Sequence, residues 1–258
     1  MFRKSLAIVT ILLALTADIS KADVSMTQHG KRVGPPSAEW TRTLRIKGLK
    51  MRIDTMRNGG DFITIYDLSN GKGYQLYPER KEALVFDLKS ASGPPSGISP
   101  DEFKRSIKET GKKKEIGGMS CSEYKLDRLE SASDPRYGIG TMMNISGKFC
   151  VSQTIPEGIE VASFVHEAMK RGYRVATSAL SPTQSPIGSY FLDQQPNMLV
   201  VGSTIETRIR NTFPNMNPEP MATITDTWTT AEIKSDPIPD EDFQIPTDWK
   251  QTMQSNFR

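Results

Sequence analysis

The stretch Thr110-Gly-Lys-Lys-Lys-Glu-Ile-Gly-Gly-Met-Ser-Cys-Ser-Glu-Tyr-Lys-Leu126 joins a glycine-broken turn to a segment carrying one of the chain's two cysteines. Gly111 is the natural stop for a helix that starts upstream. Ser99 supplies a capping hydroxyl there, Pro100 occupies the first helical position, and Asp101 and Glu102 meet the positive end of the dipole. Phe103 and Ile107 lie four apart and share one face of that helix. Downstream, Met119 to Leu129 reads as a strand, and Gly138 to Thr154 reads as another. The two cysteines, Cys121 and Cys150, fall on these two segments.

Working outward, the first half of the chain alternates with period two, the mark of half-buried antiparallel strands. Trp40, Leu44 and Ile46 point one way, while Thr41, Thr43, Arg45 and Lys47 point the other. Gly48 breaks to a partner strand at Met51 to Met56, and Asn58-Gly59-Gly60 turns into Phe62 to Asp67. Tyr74 to Tyr77 and Ala83 to Leu88 continue the series. A second helix is expected from about Pro156 to Arg171, ending at Gly172. Ala176 to Pro196 and Phe213 to Pro220 read as proline-rich connections. Met198 to Arg210 and Met221 to Lys234 resume the strand pattern, with Ile224 and Trp228 on one side and Thr223, Thr225, Thr227 and Thr229 on the other. These signals predict a mainly β, α+β chain with one domain over residues 23–258.

The first 22 residues have the pattern of a cleaved secretory signal: Arg3 and Lys4, an apolar run from Leu6 to Ala17, then Ser20-Lys21-Ala22 before Asp23. A spanning helix needs about 20 apolar residues, and Asp18 interrupts the run sooner. No cysteine follows to carry a lipid, so the expected product is a soluble periplasmic protein. Its 30 basic and 29 acidic residues nearly balance. A concentrated basic stripe for nucleic acid is missing, and the run Lys112 to Lys114 reads as a solvated turn. In an oxidising compartment with no competing thiol, Cys121 and Cys150 are expected to form an intramolecular disulfide.

The chemistry-bearing motifs are fragments. His166-Glu167 opens like a helical zinc site, but Lys170 stands where the second histidine would be. His29 is the only other imidazole, and zinc takes four ligands. Ser122 and Lys125 match Ser-x-x-Lys, as do Ser69 and Lys72, yet in a strand such pairs point to opposite faces. Asp226 reads as half of a satisfied polar pair or as a solvated strand end. No catalytic residue, metal or cofactor is therefore assigned.

The motif at Thr110 to Leu126, with Ile-x-Gly followed by Cys-x-x-Tyr, and the closing Phe243-Gln-Ile245-Pro246 resemble a family of bacterial envelope proteins with a LolA/LolB-like, lipoprotein-carrier fold. The resemblance covers about Trp40 to Trp249 loosely. It implies an antiparallel sheet curled into a half-barrel, with a few helices covering the concave face and a hydrophobic ligand, a lipid or lipoprotein, bound between them. The lining expected on that basis is Trp40, Leu44, Ile46, Phe62, Tyr66, Ile224 and Trp228. Met119, Met142, Met143, Met169, Met198 and Met221 read first as core filler and second as an adaptable lining. The cavity arginine of a carrier has three strand candidates, Arg42, Arg45 and Arg52. The alternative reading is an envelope assembly protein whose half-barrel is filled by its own side chains and whose partner is another envelope protein.

Overall fold

A computed structural model describes residues 23–57, 60–89, 106–134, 139–173, 175, 198–212 and 222–253. Among them are β1 (Val24–Val33), β2 (Ala38–Lys47), β3 (Lys50–Arg57), β4 (Phe62–Asp67), β5 (Lys72–Tyr77) and β6 (Glu82–Asp87). There follow β7 (Ile107–Ile116), β8 (Met119–Asp134), β9 (Ile139–Ser152), α1 (Gly158–Lys170), β10 (Leu199–Thr212), β11 (Ala222–Lys234) and β12 (Lys250–Met253). The expected signal segment and both proline-rich connections lie outside the described residues.

All twelve strands belong to one sheet, in the order β12-β6-β5-β4-β3-β2-β1-β11-β10-β9-β8-β7. Every pairing is antiparallel except β12 with β6. The sheet does not close into a barrel, so the mainly β class and the half-barrel expected from the sequence are observed. β2 to β6, the series of strands read from the sequence, form a meander, with Gly48 (φ 55°) and Gly71 (φ 69°) at two of its tight turns.

Two expectations are corrected: Lys112 to Lys114, read as a solvated turn, lie within strand β7, and the predicted helix does not run on to Thr110. Ile107 to Thr110 belong to strand β7 and pair with β8, Ile107 opposite Leu126 and Glu109 opposite Tyr124. Gly111 (φ 74°) serves an irregularity in that strand rather than a helix end. Pairing with β8 outweighs the local four-residue spacing. Ser106 is helical, as the sequence predicts, and Ser99 to Arg105 lie outside the described residues.

Helix α1 packs against the side of β1 to β4 that carries Met26 and Leu44, here called the inner face along the strand register, and at β8 and β9 it also clusters with Cys121 and Cys150, which lie on the other side of those strands from Tyr124 and Phe149. Val161, Ala162, Phe164, Val165 and Ala168 are buried in one cluster with Val24, Met26, Leu44, Ile46, Met51, Ile53 and Tyr66. Complete burial of each Val, Leu, Ile, Phe or Met side chain among them contributes about 1.5–3 kcal/mol. The helix ends as expected at Gly172 (φ 67°), where Tyr173 N donates to Ala168 O at 2.8 Å and Gly172 N to Met169 O at 2.9 Å. Ile159 and Met169 remain exposed. Met198 is buried and Met119 and Met143 pack against the core, whereas Met142 is exposed. Met221 falls outside the described residues.

On the outer face, Ile65, Leu76 and Ala83 form a separate cluster closed by Ile245 and Trp249 of the C-terminal segment. That segment is held by Lys47 Nζ, which donates to Ile238 O at 2.6 Å, and by Arg52 Nη1, which donates to Asp242 O at 2.6 Å. Arg45 and Arg52 both engage Asp54. These arginines are therefore outer-face fasteners. The two cysteines form the expected disulfide between β8 and β9, with Cα atoms 5.5 Å apart.

Candidate functional site

Strand register sorts the inner face into cross-strand rungs, because side chains two apart share a face. The rung nearest α1 is apolar, with Met26 opposite Leu44 and Leu44 opposite Ile53. The next is polar: Thr55, Arg42, Gln28 and Thr230 lie side by side on β3, β2, β1 and β11. Beyond it runs an aromatic rung of Arg57, Trp40, Gly30, Trp228, Ser203, Phe149 and Tyr124. A further rung pairs Arg32 with Asp226, and Asp226 with Ile205.

All seven residues expected to line a ligand site share this face, but they divide into two groups. Leu44, Ile46 and Tyr66 are buried in the cluster that contains α1. Trp228, 1% exposed, belongs to a second cluster, with Trp40 packed against it. Phe62 and Ile224 are half-buried and belong to neither buried cluster.

The aromatic end has specific geometry. A Cβ at Gly30 would lie 2.0 Å from the Trp40 ring, so glycine lets that indole lie across β1. The Arg42 guanidinium sits 4.3 Å from the Trp40 ring centroid. Burial pulls the Arg42 pKa down, and the Asp226 charge opposes that shift. Asp226 is gripped by Arg32 through two bonds, Nε to Oδ1 at 2.8 Å and Nη2 to Oδ2 at 2.9 Å, which raises the Arg32 pKa. Of the two readings open for Asp226, this is the satisfied pair. Tyr124 and Phe149 stack with centroids 5.6 Å apart. The buried Trp228 Nε1, Ser203 Oγ and Thr230 Oγ1 find no hydrogen-bond partner among the described residues.

Of the three arginine candidates, only Arg42 lies on the inner face. Alternation along β2 distinguishes it from Arg45, whose outward direction follows from the same parity as Thr41 and Thr43. Gln28, Gly30 and Arg32 were not marked by the sequence reading. The faint signal for them is their even spacing after Val24 and Met26.

The other sequence fragments do not converge. Ser122 opposes Val151 and Lys125 opposes Lys148, on opposite faces of β8. His29 is on the outer face beside Thr41, with Nδ1 and Oγ1 3.0 Å apart, while His166 is exposed on α1. Among the described residues, no group of three His, Cys, Asp or Glu side chains is disposed to hold a metal ion.

A buried carboxylate on the outer face was also unforeseen. Glu123, 2% exposed, meets Lys114 Nζ at 2.5 Å and Lys148 Nζ at 3.7 Å, and accepts from Thr110 Oγ1 at 3.2 Å. The Lys114 hydrogen bond holds its pKa below the ordinary carboxylate range against the opposing effect of burial. The folded pKa is thus lower than the unfolded one. The stabilisation is present above the unfolded range and is lost as pH falls through the folded value. Glu123→Gln is expected to cost about 1.5–3 kcal/mol at pH 7. Urea melts of the two proteins should converge as pH drops below about 4.3, the usual glutamate value; a constant gap down to pH 2 contradicts this account.

No protein-family model and no curated protein matches the chain. Among solved structures, an uncharacterized conserved protein from Thermus thermophilus aligns over 91% of this chain and 91% of its own, at 7% identity and a TM-score of 0.39. A LolA superfamily protein from Nitrosomonas europaea aligns over 87% of this chain and 90% of its own, at 7% identity and a TM-score of 0.29.

Proposed function

We propose that this is a non-catalytic periplasmic binding or carrier protein for a hydrophobic ligand, a lipid or lipidated partner, held at the aromatic end of the inner face. The observation that carries this reading is the convergence of Trp40, Phe62, Ile224 and Trp228 on one face beside Arg42 and the unpartnered donors of Trp228, Ser203 and Thr230. An apolar chain bearing ester or amide carbonyls satisfies both kinds of surface: apolar contact removes its methylenes from water, and buried donors gain acceptors. A non-catalytic role is supported by the engagement of Asp226 with Arg32 and the opposed directions of Ser122 and Lys125.

The test is organic extraction of the purified protein and mass spectrometry against an unrelated exported control. A stoichiometric lipid or acylated peptide is expected, with uptake of a fluorescent fatty acid weakened by Trp40→Ala. An empty protein that takes up no fatty acid overturns the reading. A second reading, an envelope assembly protein with a self-filled half-barrel, is favoured by one observation: α1 already occupies the face at Leu44, Ile46 and Tyr66.

A further inference from the structure

The outer face carries a second, chemically different surface. In register across β7, β8, β9, β10, β11 and β1 stand Lys108, Lys125, Lys148, Thr204, Thr227 and Lys31. The first three place like charges directly opposite one another in two successive cross-strand pairs. Such pairs destabilise a sheet, and a bound counter-charge removes the penalty. Lys125 and Lys148 have side chains 58% and 56% exposed, so both reach solvent.

The surrounding groups leave the surface positive. Lys125 Nζ is 3.9 Å from Asp127, and Lys148 and Lys114 share Glu123. Lys31, at the far end of the rung, pairs with Glu39 at 3.3 Å, and Lys108, Lys114, Lys125 and Lys148 face two carboxylates, one of them buried. Glu123 anchors Lys114 and Lys148 at a cavity of about 140 Å³ that Thr204, Thr227 and Thr229 also line. Thr227 Oγ1 donates to Thr204 Oγ1 at 3.4 Å, which leaves the Thr204 proton for a further acceptor.

We propose that this lysine rung is an anion site for a phosphate group, with Lys125 and Lys148 supplying the central charge, Lys108 flanking them and Thr204 donating a hydrogen bond. Several ammonium groups around a hydroxyl donor suit a multi-oxygen, tetrahedral oxyanion; a planar carboxylate is better matched by the fork of an arginine. The phosphate is either free in solution or part of a lipid headgroup. The site lies on the face opposite the aromatic rung and stands independently of the ligand proposed there.

The test uses the full mature chain and Lys125→Gln/Lys148→Gln, with Lys81→Gln as control because Lys81 pairs with Asp248 elsewhere. Inorganic phosphate is titrated against chloride at matched ionic strength, with amide chemical shifts as readout. Co-sedimentation is measured with phosphatidylglycerol/phosphatidylcholine vesicles and with phosphatidylcholine alone. At least one probe is expected to bind the wild type and the control alike, and the double variant to bind it about tenfold or more weakly. Free-phosphate binding without vesicle binding assigns a soluble source; binding to the anionic vesicles assigns the headgroup. Phosphate no more effective than chloride together with no preference for anionic vesicles overturns the proposal. So does a double variant that binds as well as the wild type. Unchanged circular dichroism and a cooperative melt confirm that the double variant is folded, even where loss of the Lys148–Glu123 pair lowers the midpoint, and Lys108→Gln provides a second, milder reduction.

Discussion

Trp228→Ala is expected to remove about 3–5 kcal/mol of folding stability, the range found when a large buried aromatic is truncated and its cavity persists. The indole is 1% exposed and sits on β11, between Gly30 of β1 and Ser203 of β10. It belongs to the cluster that includes Phe149, Val151, Val200 and Ile205, with Trp40 packed against it. Collapse around the void is restricted, since its neighbours are strands fixed by ladder hydrogen bonds on both sides. Against a total of about 5–15 kcal/mol for a typical domain, the loss brings the chain close to unfolding at moderate temperature. Urea midpoints by circular dichroism measure it. Met253→Ala, at a side chain 63% exposed on the edge strand β12, should stay within about 0.5 kcal/mol. A Trp228 effect as small as that control would remove Trp228 from its role as the pin between the sheet's halves.

The second large effect is loss of the Cys121–Cys150 bridge. The cysteines are 29 residues apart in sequence, and in the chain-entropy model a loop of this size contributes about 3–4 kcal/mol. Cys121→Ser/Cys150→Ser should therefore lower the urea midpoint markedly while leaving the folded spectrum unchanged, because the β8–β9 ladder remains. The constraint acts mainly on the unfolded chain. Oxidised wild type should show no thiol to an alkylating reagent without reduction. A double serine variant as stable as the wild type, or two thiols titrating in the native protein, would refute the role assigned to the bridge.

The sequence is most legible where structure is local. Alternation from Trp40 to Leu88 and the turns at Gly48 and Gly71 identify the meander, and helix α1 is marked by its apolar spacing and Gly172. Legibility fails where pairing is remote. β1 shows apolar alternation only at Val24 and Met26; its inner face continues with Gln28, Gly30 and Arg32, and its second partner is β11, about two hundred residues away. β7 contains Gly111 and Lys112 to Lys114, which locally read as a helix stop and a turn, and only the ladder with β8 makes them a strand. The same division applies to the candidate site. Period-two parity puts Trp40, Leu44 and Ile46 together, and Ile224 with Trp228. Which part of that face α1 covers, and which lysines become neighbours, depends on register between strands that no single segment encodes.

The position of β1 at the centre of the sheet, with β2 on one flank and β11 on the other, has a consequence in time. A ribosome delivers β1 about two hundred residues ahead of β11. The meander from β2 to β6 can assemble beside β1 early, but its opposite backbone edge waits for most of the chain to emerge. Throughout that interval the future centre of the protein is an unpaired border, open to pairing with another chain. The strand that ultimately holds the two halves together is, during biogenesis, the place most in need of a guardian.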